Sequence, residues 1–252
     1  MALIDEIVAS TRERVRDIEV KVEVTKFRDP LKRLREIKRK GNVPVISEVK
    51  PSSPSGLKGD IPPAEAARIA LQMQKGGAAA ISVLTEPKYF NGSMDNLRSV
   101  RDATEVPILR KDFIIDEKQI YETDSDLILL IARILNYRLK EFVSIALSHG
   151  IQPLVEVHNQ RELESALKTD TGIIGVNNRN LDTLEIDLGV SEELIPAIKK
   201  KRPELLVISE SGIHDKIDVR RVMDAGADAI LVGTSIITGD ILEKTKELVG
   251  SS

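Results

Sequence analysis

The sequence has no cysteine and no tryptophan among its 252 residues, and aromatic residues make up only 3% of it. The missing cysteine excludes a disulfide framework, a thiolate nucleophile and a cysteine-based zinc site. The scarcity of aromatic residues predicts a mainly aliphatic core, and a hydrophobic content of 41% is enough for a sizeable one.

Other absences narrow the class of protein further. No apolar run approaches the roughly 20 residues of a membrane span, and Met1–Arg12 lacks the basic-then-apolar order of a secretion signal. The formal net charge of −3 gives no electrostatic argument for nucleic acid binding. We therefore expect a cytoplasmic protein, a monomer or weak homo-oligomer, that binds neither membranes nor nucleic acid.

What the sequence does contain is a series of eight short runs rich in Val, Ile and Leu. Continuous runs of this kind favour strands that are buried on both faces of a parallel sheet. The runs start at intervals of about 20–35 residues, which is the size of a strand–helix unit. They are Val43–Lys50, Ala79–Glu86, Pro107–Asp112, Leu127–Ile131, Pro153–His158, Gly172–Asn178, Leu205–Ser211 and Asp228–Thr234.

The segments between the runs carry signals for helices. Pro62-Pro63 opens a stretch of strong helix formers that ends at Gly76-Gly77. Asn159 stands in N-cap position three residues before Glu162. Strands that alternate with helices predict a parallel sheet, and eight such units predict a single (β/α)₈ barrel of the TIM type. We predict one domain over residues 1–252, with an N-terminal helical extension over 1–40, strands over 44–234 and a C-terminal helix over 235–252.

Two segments are less regular than the rest. Only about a dozen residues between Phe113 and Asp126 form the third crossover, near the minimum for a parallel connection, so we expect a short helix around Glu117–Thr123. Before the first strand, Ile4–Val8 and Pro30–Ile37 predict two amphipathic helices. These helices either cap the bottom or side of the barrel or form a flap over the substrate.

Four charged residues stand at the ends of three apolar runs. Glu48 and Lys50 are two positions apart and share a face of the first strand, Lys111 ends the third run, and Glu156 stands in the fifth. In barrels of this type, the C-terminal ends of the strands form the catalytic face. Burying ion pairs costs several kcal/mol per ion, and stability alone does not require it. This pattern therefore indicates a functional site.

Small and hydroxyl-bearing residues end the last two runs, at Ser211-Gly212 and Gly233-Thr234. Glycine lets backbone N–H groups approach a ligand closely. Phosphate-binding barrels use this location, often with the N-terminus of an extra helix, for which Ile236–Ile241 is a candidate. The loop Ser53–Gly56, after the first strand, could close over the same anion. We therefore predict a phosphate site here.

Two further groups of residues leave alternatives open. His158 shares a face with Glu156, so a metal site is conceivable, but no other His or Cys ligand stands at a useful spacing and we expect no metal. Phe90 and Phe113 follow the second and third strands. They either wall the pocket of an aromatic substrate or pack the loops.

Six motifs at the strand ends carry a family resemblance: Ser47–Gly56, Ser82–Ser93, Leu109–Phe113, Leu154–His158, Val176–Arg179 and Ser209–Ile213. Together they closely resemble the indole-3-glycerol phosphate synthase family of tryptophan biosynthesis. The resemblance implies a (β/α)₈ barrel with an N-terminal extension and no metal or organic cofactor. The implied substrate is 1-(2-carboxyphenylamino)-1-deoxyribulose 5-phosphate, and the implied products are indole-3-glycerol phosphate, carbon dioxide and water.

The resemblance also implies a role for each matched catalytic residue. Lys111 matches the general acid that protonates the ribulose carbonyl as the anthranilate ring carbon attacks it. Lys50 matches the lysine that holds the substrate carboxylate, Glu156 the carboxylate of the acid–base chemistry, and Glu48 its companion on the first strand. Burial should weaken the preference of Lys111 for its charged form, while the two glutamates oppose that loss.

The remaining matched positions bind the substrate. The residues implied at the substrate body are Asn177, Arg179, Glu210, Phe90 and Phe113, and those implied at its phosphate are Ser53, Ser211, Gly212, Gly233 and Thr234. Thr234 stands where serine is common in the family, and its hydroxyl and backbone N–H preserve the function.

Three other functions fit part of the pattern. A phosphosugar isomerase has the same barrel, but the phosphoribosylanthranilate isomerase type normally needs a cysteine base, and the histidine-pathway isomerases carry two phosphate sites. A Schiff-base aldolase would form its covalent adduct on Lys111. A sensor of phosphorylated ligands would bind without turnover.

Overall fold

Eight parallel strands close into a barrel in the computed structural model, which describes residues 3–20, 27–54 and 56–251. Each strand pairs with its sequence neighbours, and the last pairs with the first, with Val45 opposite Ile230. The strands are β1 (Val45–Val49), β2 (Ala80–Leu84), β3 (Ile108–Lys111), β4 (Leu127–Ile131), β5 (Gln152–Val157), β6 (Ile173–Asn177), β7 (Leu206–Glu210) and β8 (Ala229–Val232). Each predicted run overlaps one of these strands, so the predicted (β/α)₈ fold is confirmed.

Helices precede the barrel and follow its strands. Asn159 caps one of them as predicted, because its Oδ1 accepts a hydrogen bond of 3.0 Å from the backbone N–H of Glu162. The helices are α1 (Leu3–Arg14), α2 (Pro30–Arg39), α3 (Pro63–Lys75), α4 (Met94–Ala103), α5 (Lys118–Tyr121), α6 (Ala132–Leu135), α7 (Leu139–Ser148), α8 (Gln160–Ala166), α9 (Gly189–Lys201), α10 (Lys216–Asp224), α11 (Thr234–Ile237) and α12 (Ile241–Val249).

Strand β1 illustrates how the barrel is filled. Val45 and Val49 belong to a buried cluster between barrel and helices, whereas Ile46 belongs to the cluster inside the barrel. Glu48, two residues after Ile46, lines a cavity at the C-terminal end of the strands. Because successive side chains point to opposite faces, one strand serves both layers. The barrel interior is therefore aliphatic at the bottom and charged at the top.

The third crossover is short, and buried polar side chains support it. Its helix α5 lies within the predicted range Glu117–Thr123, which confirms that prediction. Arg110 is fully buried and its Nη1 donates to the carbonyl of Gln119 at 2.6 Å. The Gln119 side chain in turn donates to the carbonyl of Phe113 at 3.1 Å. These side-chain bonds satisfy backbone carbonyl groups of the crossover.

The two N-terminal helices lie at opposite ends of the barrel. Leu34 of α2 is 1% exposed, and Lys38 of the same helix pairs with Asp228, directly before β8. Ile4 and Ile7 of α1 instead line the cavity at the C-terminal end. Helix α2 therefore caps the bottom and α1 covers the top, so each of the two predicted arrangements applies to one helix.

The C-terminal segment contains α12, and the short helix α11 precedes it, beginning at Thr234 and overlapping the candidate Ile236–Ile241 in its first two residues. The side chain of Asp240 accepts from the backbone N–H of Glu243 at 3.0 Å and caps α12, so the chain turns between α11 and α12. Within the described ranges, no helix combines the length and the apolar character required to cross a membrane.

Candidate active site

A cavity of about 390 Å³ opens at the C-terminal ends of the strands, beneath α1. The predicted site residues converge on it from distant parts of the sequence. Glu210 is fully buried behind its wall, with Oε2 3.5 Å from Nζ of Lys111. The other thirteen predicted residues line the cavity: Glu48, Lys50, Ser53, Phe90, Lys111, Phe113, Glu156, Asn177, Arg179, Ser211, Gly212, Gly233 and Thr234.

Alternating charges form a chain across the cavity. The two oxygens of Glu48 lie 3.1 Å from Nζ of Lys50 and 3.0 Å from Nζ of Lys111. Lys111 then reaches Glu210 at 3.5 Å. Glu48 and Lys50 meet because they share a face of β1, while Lys111 and Glu210 come from β3 and β7. The shared carboxylate therefore holds both ammonium groups in place.

Burial and neighbouring charges act in opposite directions on these groups. Burial raises the pKa of Glu48, but the ammonium groups of Lys111 and Lys50 outweigh it and bring that pKa down to about 2. Burial lowers the pKa of Lys111, but the carboxylates of Glu48, Glu210 and Glu156 raise it above its ordinary value. The carboxylates thus decide the balance that the sequence left open, and Lys111 is firmly protonated.

Glu210 differs from Glu48 in its surroundings. Burial raises its pKa to about 8; the carboxylates of Glu156 and Glu48 add to the rise, and Lys111 opposes it. Its Oε1 is buried without a hydrogen-bond partner. Gly175 of β6 leaves room for that atom, because a Cβ at this position would lie 2.1 Å from it. Two neighbouring carboxyl groups of one site therefore differ in their protonation near neutral pH.

Glu156 lines the same cavity but pairs with a different partner. Its Oε1 lies 3.2 Å from Nε2 of His158. Burial raises the pKa of Glu156, but His158, Lys111 and the amide of Asn177 lower it below its ordinary value. Glu156 is therefore ionised, and its charge acts on Lys111 across the cavity.

The predicted phosphate-binding residues all line the cavity, and several have unusual backbone geometry or close neighbours. Ser211 and Gly212 both have positive φ angles, 68° and 79°, which turn the chain sharply after β7. A Cβ at Gly233 would lie 2.6 Å from Oε1 of Glu48 and 3.1 Å from Nζ of Lys50. Only glycine therefore lets these two side chains lie so close to the backbone at this position. Thr234 is exposed and begins α11.

Ser53, in the loop after β1, lines the same cavity, and its backbone N–H donates to the carbonyl of Leu57 at 2.8 Å. Ser55 of the predicted loop lies outside the described residues. The described part of this loop therefore contributes Ser53 to the lining of the cavity.

An apolar wall faces the charged residues. The rings of Phe90 and Phe113 contact each other at a centroid distance of 5.9 Å, and both line the cavity beside Ile4 and Ile7 of α1. The two rings therefore contact each other and also wall the cavity.

A comparison with protein families agrees with this geometry. The family model for indole-3-glycerol phosphate synthase matches residues 3–248, which takes in both N-terminal helices, all eight strands and nearly all of α12. The chain belongs to the indole-3-glycerol phosphate synthase family. The resemblance that the strand-end motifs indicated is thereby confirmed.

Relatives within the indole-3-glycerol phosphate synthase family match over most of their length. The indole-3-glycerol phosphate synthase of Halobacterium salinarum is 46% identical over 213 residues, which cover 83% of this chain and 81% of that protein. The one of Dehalococcoides mccartyi strain CBDB1 is 43% identical over 252 residues, with 90% and 95% covered. A solved N-acetylmannosamine-6-phosphate 2-epimerase of Clostridium perfringens matches with a TM-score of 0.60 and 18% identity, covering 86% of this chain and 94% of its own; this likeness shows the fold alone.

Sequence analysis did not single out a hydrogen-bond network directly beside Lys111. Arg14 of α1 donates to both oxygens of Asp112, at 2.7 and 3.0 Å, and Thr85 donates to Oδ2 at 2.7 Å. Asp112 is 1% exposed and directly follows Lys111. Asp112 could have been identified as a candidate from the sequence, because it stands at a strand end. Its pairing with Arg14 was not predictable, because the two residues are 98 positions apart.

Proposed function

We propose that this chain catalyses the reaction of its family, the closure of 1-(2-carboxyphenylamino)-1-deoxyribulose 5-phosphate to indole-3-glycerol phosphate with loss of carbon dioxide and water. The observation that carries the proposal is the chain of charges from Lys50 through Glu48 to Lys111 in one cavity. A substrate with a carboxylate and a phosphate needs cations for the first and small, donor-rich loops for the second. Both kinds of group line this cavity.

Lys111 is the proposed general acid. As the ring carbon attacks the ribulose carbonyl, negative charge develops on the carbonyl oxygen, and a protonated amine stabilises that charge in the transition state. The carboxylate of Glu48 keeps Lys111 charged before the reaction. Glu210, with a pKa of about 8, lies 3.5 Å from the ammonium group and can return a proton to it afterwards.

Lys50 is the proposed partner of the substrate carboxylate. Its side chain is 14% exposed and lies toward the cavity, next to Glu48. Glu48 already neutralises part of the charge of Lys50. The ion pair between Lys50 and the substrate carboxylate is therefore only moderately strong, and this carboxylate can leave as carbon dioxide. The ring carbon that attacks the carbonyl is the one that bears the carboxylate, so loss of carbon dioxide restores aromaticity without a separate base.

Dehydration, the last step, requires both a base and an acid. Ionised Glu156 is the proposed base, and Lys50 assists the departing hydroxyl. Asn177 hydrogen-bonds to Glu156 and, together with Arg179, is proposed to orient the substrate. Side chains therefore supply every acid, base and charge-stabilising role, so we propose no metal or organic cofactor for this reaction.

The two ends of the substrate have separate proposed sites. Phe90 and Phe113 wall the aromatic end, where ring stacking and apolar contact favour an anthranilate ring. The phosphate is proposed to bind among Ser53, Ser211, Gly212, Gly233 and Thr234. We further propose that the protein acts as a monomer or weak homo-oligomer in the cytoplasm.

The test is turnover by Lys111→Met. Because the chain has no tryptophan, indole product can be followed by fluorescence with little background from the protein. We expect turnover to fall by about 10²–10⁴-fold, the range for loss of a general acid. Lys140→Met, which changes an exposed lysine on α7, is the matched control. Product formation at the normal rate by a folded Lys111→Met variant would refute the assignment.

The same protein and substrate distinguish the proposed activity from the aldolase and the ligand sensor. A Schiff-base aldolase needs a neutral amine, which the charged state of Lys111 disfavours. Borohydride with substrate present should therefore leave Lys111 unmodified. A ligand sensor would bind the substrate without forming any fluorescent product, and that result would overturn the proposed activity.

A further inference from the structure

His158 lies between two carboxylates directly behind the cavity. Its Nε2 is 3.2 Å from Oε1 of Glu156, and its Nδ1 is 2.9 Å from Oε2 of Glu162. The His158 side chain is 9% exposed, and those of Glu156 and Glu162 are 2% and 10% exposed. The three residues therefore form a nearly buried carboxylate–imidazole–carboxylate row that starts at the proposed base.

The geometry determines the charge of the imidazole. A carboxylate only accepts hydrogen bonds, so the Nδ1 that bonds to Glu162 carries a proton. Nε2 is also buried, has no aligned hydrogen-bond partner, and lies closest to the oxygen of Glu156. A lone pair in that position would face a carboxylate at short range. Both nitrogens are therefore protonated, and burial, which lowers the pKa of His158, is outweighed by Glu156 and Glu162, which raise it to about 10.

Glu162 is itself held firmly at the start of α8. Its Oε2 accepts from the backbone N–H of His158 at 2.9 Å, and its Oε1 accepts from the side chain of Asn159 at 2.8 Å. These bonds fix Glu162, which in turn fixes the orientation of the imidazole ring. The row is therefore anchored to the helix that follows β5.

Other charged groups surround the row. Asp182, in the loop after β6, interacts electrostatically with His158 and forms an ion pair with Arg133 of α6. Arg133 also interacts with Glu162. On the cavity side, Lys111 of β3 interacts with Glu156, which in turn influences Glu210. Among these groups, Glu156 and Glu162 contact the imidazole directly, and of these two Glu156 lines the cavity.

We propose that His158 is a positioning residue for the reaction, a buried cation that orients the carboxylate of Glu156 and keeps it ionised so that it can act as the base. This inference rests on the proposed function and adds a residue to it. It also explains why two carboxyl groups of the site differ in their protonation. Glu156 stays ionised because it has His158 as its own cation, whereas Glu210 shares Lys111 with Glu48.

The test is the pH dependence of kcat/KM in His158→Gln. Without the cation, the pKa of Glu156 rises, so the base becomes protonated at a higher pH. We expect the acid limb of the profile to move to higher pH by about one unit. This shift is a tenfold loss of kcat/KM at the acidic end of the profile. Turnover should largely recover at high pH. His149→Gln, an exposed histidine at the end of α7, is the control and should leave the profile unchanged.

Glu162→Gln provides a second variant that leaves both Glu156 and His158 in place. Its acid limb should move much less than that of His158→Gln, because an imidazole with an ordinary pKa of 6.5 is still protonated in that pH range and still faces Glu156. A fall in turnover that is equal at every pH in folded His158→Gln would indicate a merely structural role and overturn the proposal.

Nuclear magnetic resonance of the imidazole nitrogens gives a readout without turnover. The chain has three histidines, so the signals of His158 can be assigned as those that His158→Gln lacks. We expect a doubly protonated ring at neutral pH, and a singly protonated ring would overturn the inference. A wild-type chain that forms no indole product would reject the proposed function but would leave this measurement valid.

Discussion

At the scale of single residues, glycines of the barrel leave the space that its carboxylates occupy. Gly175 faces Oε1 of Glu210, and Gly233 faces Oε1 of Glu48; a Cβ at either position would lie closer than 3.0 Å to the oxygen. Backbone strain is not the reason for glycine at these two positions. A larger residue is excluded because the neighbouring glutamate side chain already occupies the space. The absence of a side chain at these two positions therefore helps to determine the geometry of the charged groups.

A substitution at the proposed phosphate site is best made at Thr234. Gly212 is unsuitable, since it has a φ of 79° and a Cβ there would meet Ile186 at 2.4 Å. Thr234 is exposed, so Thr234→Asp places a negative charge at the site with little cost to the fold. We expect KM to rise about tenfold, equal to ~1.4 kcal/mol, because two anions repel each other. Thr234→Ser keeps the hydroxyl and is the control; an unchanged KM in Thr234→Asp would contradict this phosphate site.

At the scale of secondary-structure elements, α1 is attached to the site through one charged contact and an apolar face. Ile4 and Ile7 line the cavity, while Arg14 at the end of the helix makes two hydrogen bonds to Asp112. Asp112 also accepts from the backbone N–H of Phe113 at 2.8 Å. The contact therefore joins the cover of the cavity to the strand end that carries the proposed general acid.

Arg14→Gln tests the importance of that attachment. Loss of the guanidinium leaves the buried Asp112 with fewer donors, so we expect a loss of about 1–3 kcal/mol in the free energy of unfolding. A less firmly held α1 should also raise KM. The exposed Arg12 lies on the same helix, and Arg12→Gln is the matched control for both thermal unfolding and steady-state kinetics. Identical values for the two variants would show that the Arg14 contact has no role.

At the scale of the whole molecule, the buried charges make the stability depend on pH. The pKa of Glu48 is lowered, so its contribution is present above its ordinary value of 4.5 and is lost as pH falls toward about 2. The pKa of Glu210 is raised instead, so the folded state binds its proton more tightly than the unfolded state does. Its contribution is present below 4.5 and is lost as pH rises through about 8.

Glu210→Gln should remove that second dependence, because glutamine is neutral at every pH. We expect the variant to lose less stability than the wild type as pH rises from 4.5 to about 8, measured as the unfolding temperature across that range. The acid limb, to which Glu48 contributes, should remain. Glu193→Gln, at an exposed position of α9, is the control. Parallel curves for wild type and Glu210→Gln would mean that Glu210 is ionised throughout.

The order of the elements and the composition of the site could be predicted from local patterns. Val/Ile/Leu runs at regular spacing indicate buried strands, and Asn159 before Glu162 indicates a helix start, because both depend on interactions between near neighbours. The family motifs pointed to Lys111, Glu48 and Lys50, and the cavity brings these side chains together.

Local patterns were therefore sufficient to predict the eight-fold alternation of strands and helices and the chemical groups at the strand ends. The pairing of charges depends instead on the folded barrel, in which Glu48 bridges the two lysines, His158 pairs with Glu156 and Arg14 reaches Asp112. The physical reason is that propensity and capping act over a few residues, whereas ion pairing and the resulting pKa values depend on distances of a few ångströms between residues far apart in the chain.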